Sequence, residues 1–408
     1  MTTPEAPVGR RPLDGVRVLE MGQLMAGPFA GTVLAYYGAE VIKIEPPIKG
    51  DPVRTWRGMD EGTSLWWRSL GRNKKCVTVD LRQQDGRDLA RQIADRCDVV
   101  IENFRPGTME KWGLGPDDLK KTNPKVIYTR VSGYGQDGPY SNRPGYASVC
   151  EGMGGFRFVN GFPDRPPVRP NLSLGDSLAG LHAALGILLA LYERDGRRTD
   201  SPRRGQVVDV AIYEAVFNMM EAVLPEYDRL GLVRQREGAK LTGIVPTNTY
   251  LCGDGQYIII GGNGDSIFKR LMRAAGRADM ADDPRFATNA DRVRHEAEVD
   301  GAISAWTATL SAPQVAARME EAEVPVGLLY DAKDIVSDPH YQARGMFEEV
   351  EVGGRPLKIP AMAPKLMGTP GRTDWPGPEL GSHNRQIFAD LLGLDAARIE
   401  QLVKDGVI

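Results

Sequence analysis

From residue 16 to about residue 211 the chain alternates short β-branched runs with segments whose apolar residues recur at every third and fourth position. The runs predict strands over 16–19, 41–44, 76–79, 99–101, 126–129 and 207–211. The helical spacing between them predicts helices over 29–37, 86–95 and 177–194. Leu178, Leu181, Leu185 and Leu188 mark one face of the last of these, and Gly196 is a stop signal for it. Such alternation is the rhythm of a parallel α/β sheet with crossover helices. Further on, a helix is predicted over 212–223, then a polar crossing through Pro225-Glu226-Tyr227-Asp228-Arg229. A second unit begins there, with a hairpin of strands 249–251 and 257–260 around Gly253-Asp254-Gly255-Gln256, followed by helices near 267–275, 296–309 and 312–322.

The polar turn Arg169-Pro170-Asn171-Leu172-Ser173-Leu174-Gly175 delivers Asp176 to the mouth of the long apolar helix, at or beside its N-cap. Aspartate caps well, because its carboxylate accepts from orphan N–H groups at the positive end of the helix dipole. Those same groups would keep the carboxylate ionised, while Gly175 and Gly180 leave room for a substrate. An ionised, accessible carboxylate is a nucleophile. The spacing alone is compatible with either role.

Composition narrows the classes. With 408 residues, 41% hydrophobic and 26% charged, the chain reads as a globular protein of two or three domains. A net charge of -3 offers no broad basic field for nucleic acid or anionic lipid, so neither is expected as a partner. The four cysteines are scattered and the four histidines make no ligand-spaced pair, so no metal site is predicted. Residues 1–12 lack the apolar run of a secretory signal, and the most apolar helical stretch, about 183–192, falls short of the roughly 20 residues that span a bilayer. No membrane association and a cytoplasmic location are the expectation. The turn after the first strand, Glu20-Met21-Gly22-Gln23-Leu24-Met25-Ala26-Gly27-Pro28, contains no G-x-G-x-x-G, which argues against a dinucleotide cofactor.

Ligands of open α/β sheets gather at the carboxyl ends of the strands. Gln23 and Met25 follow the first strand, Lys43 sits in the second, and Asn103-Phe104-Arg105-Pro106-Gly107 follows the fourth. By themselves these read as ordinary loop chemistry.

Leu174-Gly175-Asp176-Ser177-Leu178-Ala179-Gly180, preceded by Gly133-Tyr134-Gly135-Gln136-Asp137-Gly138-Pro139-Tyr140 and Gly152-Met153-Gly154-Gly155, resembles the core signature of the class III CoA-transferases, the formyl-CoA transferase, carnitine CoA-transferase or CaiB/BaiF type. The likeness runs from Leu13-Asp14-Gly15 to Leu380-Gly381-Ser382-His383. It implies that Asp176 is a covalent nucleophile, with coenzyme A or acyl-CoA as substrate, a carboxylic acid as its partner and no permanently bound cofactor. It implies CoA contacts from Gln23, Met25, Ala26, Lys43, Lys74, Asn103, Phe104, Arg105 and Lys111, with cations meeting phosphates and apolar side chains flanking adenine. The implied fold is α/β, a Rossmann-like large domain over 1–224, a smaller α+β domain over 225–334 and a return to the large domain over 335–408. Two chains are implied to interlock as a homodimer. Backbone N–H groups of Gly152 to Gly155 are candidate oxyanion donors.

Two departures matter. Gly261-Gly262-Asn263-Gly264 follows the hairpin directly and reads as a turn, without the longer glycine loop of the formyl-CoA branch, which argues against oxalate chemistry. The related α-methylacyl-CoA racemases use a histidine where this chain has Tyr146, a poor base near neutrality. Racemisation and a silent acyl-CoA-binding protein are the rival readings. Pro167-Val168-Arg169-Pro170 resembles succinyl-CoA:glutarate transferases, and Arg165 and Arg169 would suit the second carboxylate of succinyl-CoA. His182 and His383 are expected to make structural contacts.

Overall fold

The computed structural model describes residues 9–196 and 203–408, so most of the polar N-terminal segment lies outside the described residues. Each of the six β-branched runs forms a strand: β1 (Arg17–Glu20), β2 (Glu40–Glu45), β3 (Lys74–Thr78), β4 (Val99–Glu102), β5 (Ile127–Ser132) and β6 (Val207–Ala211). All neighbours pair in parallel, in the order β3-β2-β1-β4-β5-β6. Parallel strands covered on both faces need apolar residues at successive positions, which is why these runs do not alternate with polar ones. Val18, Val41 and Val99 enter one core cluster; Leu19, Ile42 and Val100, one residue on, enter another.

The first cluster takes α1 (Ala26–Tyr36) and the second takes α2 (Gln84–Ala94). Later in the chain come α3 (Ala147–Met153), α4 (Leu174–Leu191) and α5 (Ile212–Phe217). Ala179, Ala183 and Ile187 of α4 join Ala30 and Leu34 of α1 in the first cluster. Gly180 permits this approach, since a Cβ there would lie 2.8 Å from the Ala26 carbonyl oxygen.

With the π turn that follows it, α4 extends over Leu174–Gly196, 23 residues, longer than the apolar stretch read from sequence. Small residues and His182 dilute its first turns, so an apolar run undercounts it. By length and composition alone it is long enough to cross a membrane. Its Gly175, Ala179, Ala183 and Ile187 face is buried, as in a core helix, while Leu181, Leu185 and Leu189 are exposed.

The chain divides into two compact units. The first holds the six-stranded sheet, with residues up to Phe156, Pro170–Glu221 and Ala343–Ile408; the second comprises Arg157–Arg169 and Ala222–Gln342. In the second unit β7 (Thr247–Leu251), β8 (Tyr257–Gly261) and β9 (Val326–Leu328) form an antiparallel sheet with β8 central. Phe268, Leu271, Val299, Ile303, Val315 and Met319, from three helices, pack with Ile258 and Ile260 of that sheet. The predicted polar crossing is instead a helix, Val223–Leu230, and α5 ends at Phe217, with Glu221 in a left-handed backbone of φ 49° between the two helices.

Candidate active site

The strand order reverses direction at β1, with β2 on one side and β4 on the other, and it is there that an open parallel sheet leaves a crevice at its carboxyl ends. The loops leaving β1 and β4 are tied across it. Gln23 N–H donates to Asn103 Oδ1 at 2.8 Å, and Asn103 Nδ2 donates to the Gln23 carbonyl at 2.7 Å. A cleft of about 570 Å³ opens over the ends of β1 to β4, lined by Met21, Gln23, Ile44, Pro46, Ile48, Lys49, Arg82, Phe104 and Trp112 among others. Phe104 is fixed edge-on to Trp112 at 5.2 Å, and its N–H donates to Glu102 Oε2 at 2.7 Å. Burial pushes Glu102 up to about 7 against the pull of Arg130, whose Nε is 2.9 Å away. Arg105 and Lys111 are exposed; Met25 is partly buried, and Ala26 is buried where it opens α1. Met25 lines a separate apolar cleft of about 340 Å³ with Phe29, Trp66 and Leu181.

Lys43 and Lys74 do not reach this cleft. Both are 0% exposed. Lys43 Nζ lies 3.0 Å from Glu20, 2.9 Å from Asp51 and 2.8 Å from the Gly22 carbonyl; Lys74 Nζ lies 2.8 Å from Glu20 Oε2 and 2.7 Å from the Pro28 carbonyl. Arg54 grips Glu45 through two bonds of 2.7 Å beside them. Burial alone would lower Lys43, but Asp51, Glu20 and Glu45 hold it above its ordinary range; for Lys74 burial prevails and its pKa falls. To meet a phosphate Lys43 would have to abandon Glu20 and Asp51, and Lys74 would have to abandon Glu20, so the expected phosphate contacts are withdrawn for both lysines. What the cluster does is hold the loop after β1: Gly22 O accepts from Lys43, Leu24 N–H donates to Asp51 at 3.2 Å, and Pro28 O accepts from Lys74. The exposed cations at the cleft are Lys49 and Arg82, which sequence reading passed over because each sits in a loop with no pattern; Arg82 forks onto Asp80 at 2.8 and 2.9 Å.

Asp176 lies deeper in the helix than its cap. Ser173 takes the N-cap place, and Asp176 is the third residue of α4, partly buried in the first turn. There its carboxylate keeps the favourable end of the dipole. Glu151, 1% exposed, supplies the acceptor that Ser173 does not: its Oε1 accepts the Gly175 N–H at 3.2 Å. Burial first, then the negative charges of Asp176 and Glu151, push the Cys150 thiol up to about 11. A cavity of about 230 Å³ lies against this turn, lined by Glu151, Phe156, Leu174, Gly175, Leu178, Val216 and Met219.

Gly152 to Gly155 fail as oxyanion donors. They close the carboxyl end of α3, where Gly154 N–H donates to the Cys150 carbonyl and Gly155 N–H to the Gly152 carbonyl. His383 binds the third strand: Cys76 N–H donates to its Nδ1 at 3.2 Å, and its own N–H donates to the Cys76 carbonyl. His182 Nδ1 pairs with the Leu178 carbonyl at 2.8 Å within its helix. Among the described residues no group of three or more His, Cys, Asp or Glu is placed to hold a metal ion. Arg165 and Arg169 belong to the second unit.

The sequence profile described as CoA-transferase family III matches residues 13–384. Over 402 residues the chain is 49% identical to the succinyl-CoA–D-citramalate CoA-transferase of Chloroflexus aurantiacus, covering 98% of each. It is 40% identical over 406 residues to the succinyl-CoA–L-malate CoA-transferase alpha subunit of the same organism, covering 98% of this chain and 94% of the relative. A crystal structure of a CAIB/BAIF family protein from Brucella suis superposes with a TM-score of 0.80 at 33% identity, covering 94% of this chain and 100% of the other.

Proposed function

The chain belongs to CoA-transferase family III and is an enzyme of CoA transfer between acyl groups, and from that premise we propose that Asp176 carries the reaction covalently. The donor in this reading is succinyl-CoA and the acceptor a small hydroxydicarboxylic acid, since the two relatives are named for succinyl-CoA with citramalate and with malate. The carboxylate of Asp176 attacks the thioester carbonyl; the C–S bond breaks, leaving an aspartyl–succinyl anhydride and CoA thiolate. The thiolate then attacks the aspartyl carbonyl and expels succinate, giving an aspartyl-CoA thioester. The acceptor carboxylate attacks this thioester to form a second anhydride and release the thiolate. Attack of the thiolate on the acceptor carbonyl yields the new acyl-CoA and returns Asp176 as carboxylate. No proton or electron is gained or lost, which suits a nucleophile already ionised at the start. Water must be kept out, because either anhydride would hydrolyse.

The observation that carries this reading is the place of Asp176, in the first turn of α4 at the positive end of its dipole. For the nucleotide part of CoA we assign the cleft at the strand ends, with Gln23, Asn103 and Phe104 in its wall or rim, Met25, Ala26, Arg105 and Lys111 nearby, and Lys49 and Arg82 in place of Lys43 and Lys74 as phosphate partners. Cations on flexible, exposed stems can turn to a phosphate at small cost, which buried ones cannot. The exposed Leu181, Leu185, Leu188 and Leu189 face of α4 supports a homodimer, interlocked as the resemblance implies. Four buried free cysteines accord with the cytoplasm.

Asp176→Ala tests the proposal: succinyl-CoA-dependent CoA transfer is lost while CoA binding, followed calorimetrically, stays near that of the unaltered chain. Undiminished transfer refutes the assignment.

A further inference from the structure

Glu151 is a carboxylate almost wholly removed from solvent, on the short helix α3, and the scheme above gives it no chemical step. Its Oε1 receives the N–H of Gly175, the residue immediately before Asp176. The contact leaves no slack. A Cβ on Gly175 would stand 3.1 Å from Glu151 Cγ, 3.3 Å from its Oε1 and 3.3 Å from Ala147 Cβ. Ala147 and Glu151 are four apart, on one face of α3, so that face meets the first turn of α4 closely, at a place where a Cβ would need its neighbours to give by a few tenths of an ångström. A cavity of about 230 Å³ also lies against Leu174, Gly175 and Leu178 of this turn. A charged acceptor on a helix-opening amide is the stronger kind of hydrogen bond, and here it is buried.

We propose that Glu151 is a positioning residue: by holding the Gly175 amide it fixes the first turn of α4, and with it the line along which the Asp176 carboxylate meets the thioester carbonyl. The inference rests on the reading of Asp176 as nucleophile. Displacement of a reacting group by about 1 Å lowers a rate on the order of 100-fold while leaving remote binding intact.

The test uses the full-length chain with succinyl-CoA and an acceptor acid on which the unaltered chain is active. Glu151→Ala lowers kcat on the order of 10- to 100-fold with little change in KM for succinyl-CoA. Glu151→Gln, whose amide oxygen accepts the same N–H, recovers most of the lost kcat. Gly175→Ala, whose Cβ crowds Glu151 Cγ and Oε1 and strains the bond to the amide while keeping the carboxylate, lowers kcat in the same direction. Combining it with Glu151→Ala adds little, because both act on one contact. Should Glu151→Ala fail to fold, Gly175→Ala and Glu151→Gln carry the comparison. A fully active Glu151→Ala or Gly175→Ala variant overturns the proposal, and so does Glu151→Gln as impaired as Glu151→Ala, or an equal loss in KM and kcat. Asp176→Ala run in parallel separates the two claims. If that variant transfers CoA, the nucleophile reading falls; if it is inactive and Glu151→Ala is not impaired, only the positioning role falls.

Discussion

Lys43→Met removes one ammonium from the buried cluster beneath the loop after β1. Methionine nearly matches the volume, so the effect is electrostatic rather than a cavity. Glu20 would keep Lys74 at 2.8 Å, but Asp51 would lose its cation at 2.9 Å, and the Gly22 carbonyl its donor at 2.8 Å. Breaking a buried pair from one side typically destabilises by about 3–5 kcal/mol, because the remaining charge stays desolvated. We expect a loss of that size, read as a lower urea midpoint by far-UV circular dichroism. The cluster is fully buried, so 0.5 M salt, which screens exposed charges over a length of about 4–5 Å, leaves the difference nearly intact. Lys43 has a folded pKa above its ordinary value of 10.5, so its contribution is fully present below that pH and is lost only as pH rises beyond it. The gap between the two proteins is therefore flat from pH 7 to 9. CoA affinity falls as well, since the Gly22–Leu24 loop loosens. A variant of unchanged stability that binds CoA weakly would refute the reasoning and restore Lys43 as a direct phosphate contact.

Other substitutions probe separate links. Gly31→Ala would place a Cβ 1.9 Å from Glu20 Oε2. The helix-propensity gain of about 1 kcal/mol is outweighed by about 1–3 kcal/mol of overpacking, so the melting temperature falls; a rise would show that the cluster yields easily. Lys49→Ala and Arg82→Ala each weaken CoA binding a few-fold and together about 10-fold, more at low salt than at high, with stability unchanged, as exposed ion pairs are worth about 0.2–1 kcal/mol apiece. Affinity independent of both residues and of salt would remove the strand-end cleft from the nucleotide site.

The sheet was legible because a parallel strand buried on both faces declares itself through successive apolar residues, as Val18-Leu19, Val41-Ile42 and Val99-Val100-Ile101 do, even where Lys43, Arg130 and Asp209 interrupt β2, β5 and β6. The same rule held an unread warning about Lys43: in Glu40-Val41-Ile42-Lys43-Ile44-Glu45 a lysine flanked by isoleucines has no solvent face to turn to, and must be paired inside. Its partners Glu20 and Asp51 are distant in sequence, so only the fold could name them. Asp176 stood out from the pattern as a residue at or beside the N-cap and drew its chemical role from the resemblance; the cap itself is Ser173, three residues earlier. Glu151 gave no signal at all, being one acidic residue in a short helix whose meaning depends on which turn passes beside it. The glycines at 152–155 were misread for the opposite reason: a glycine-rich stretch suggests exposed amides, but at a helix carboxyl end those amides are already spent on carbonyls.

Peptide mass analysis after mixing the enzyme with succinyl-CoA and quenching into hydroxylamine bears most directly on whether one aspartate carries both acyl group and CoA. The account predicts a hydroxamate on the peptide containing Asp176, formed only when the donor is present. An unmodified Asp176 alongside full CoA transfer, or a hydroxamate on a different side chain, would contradict it.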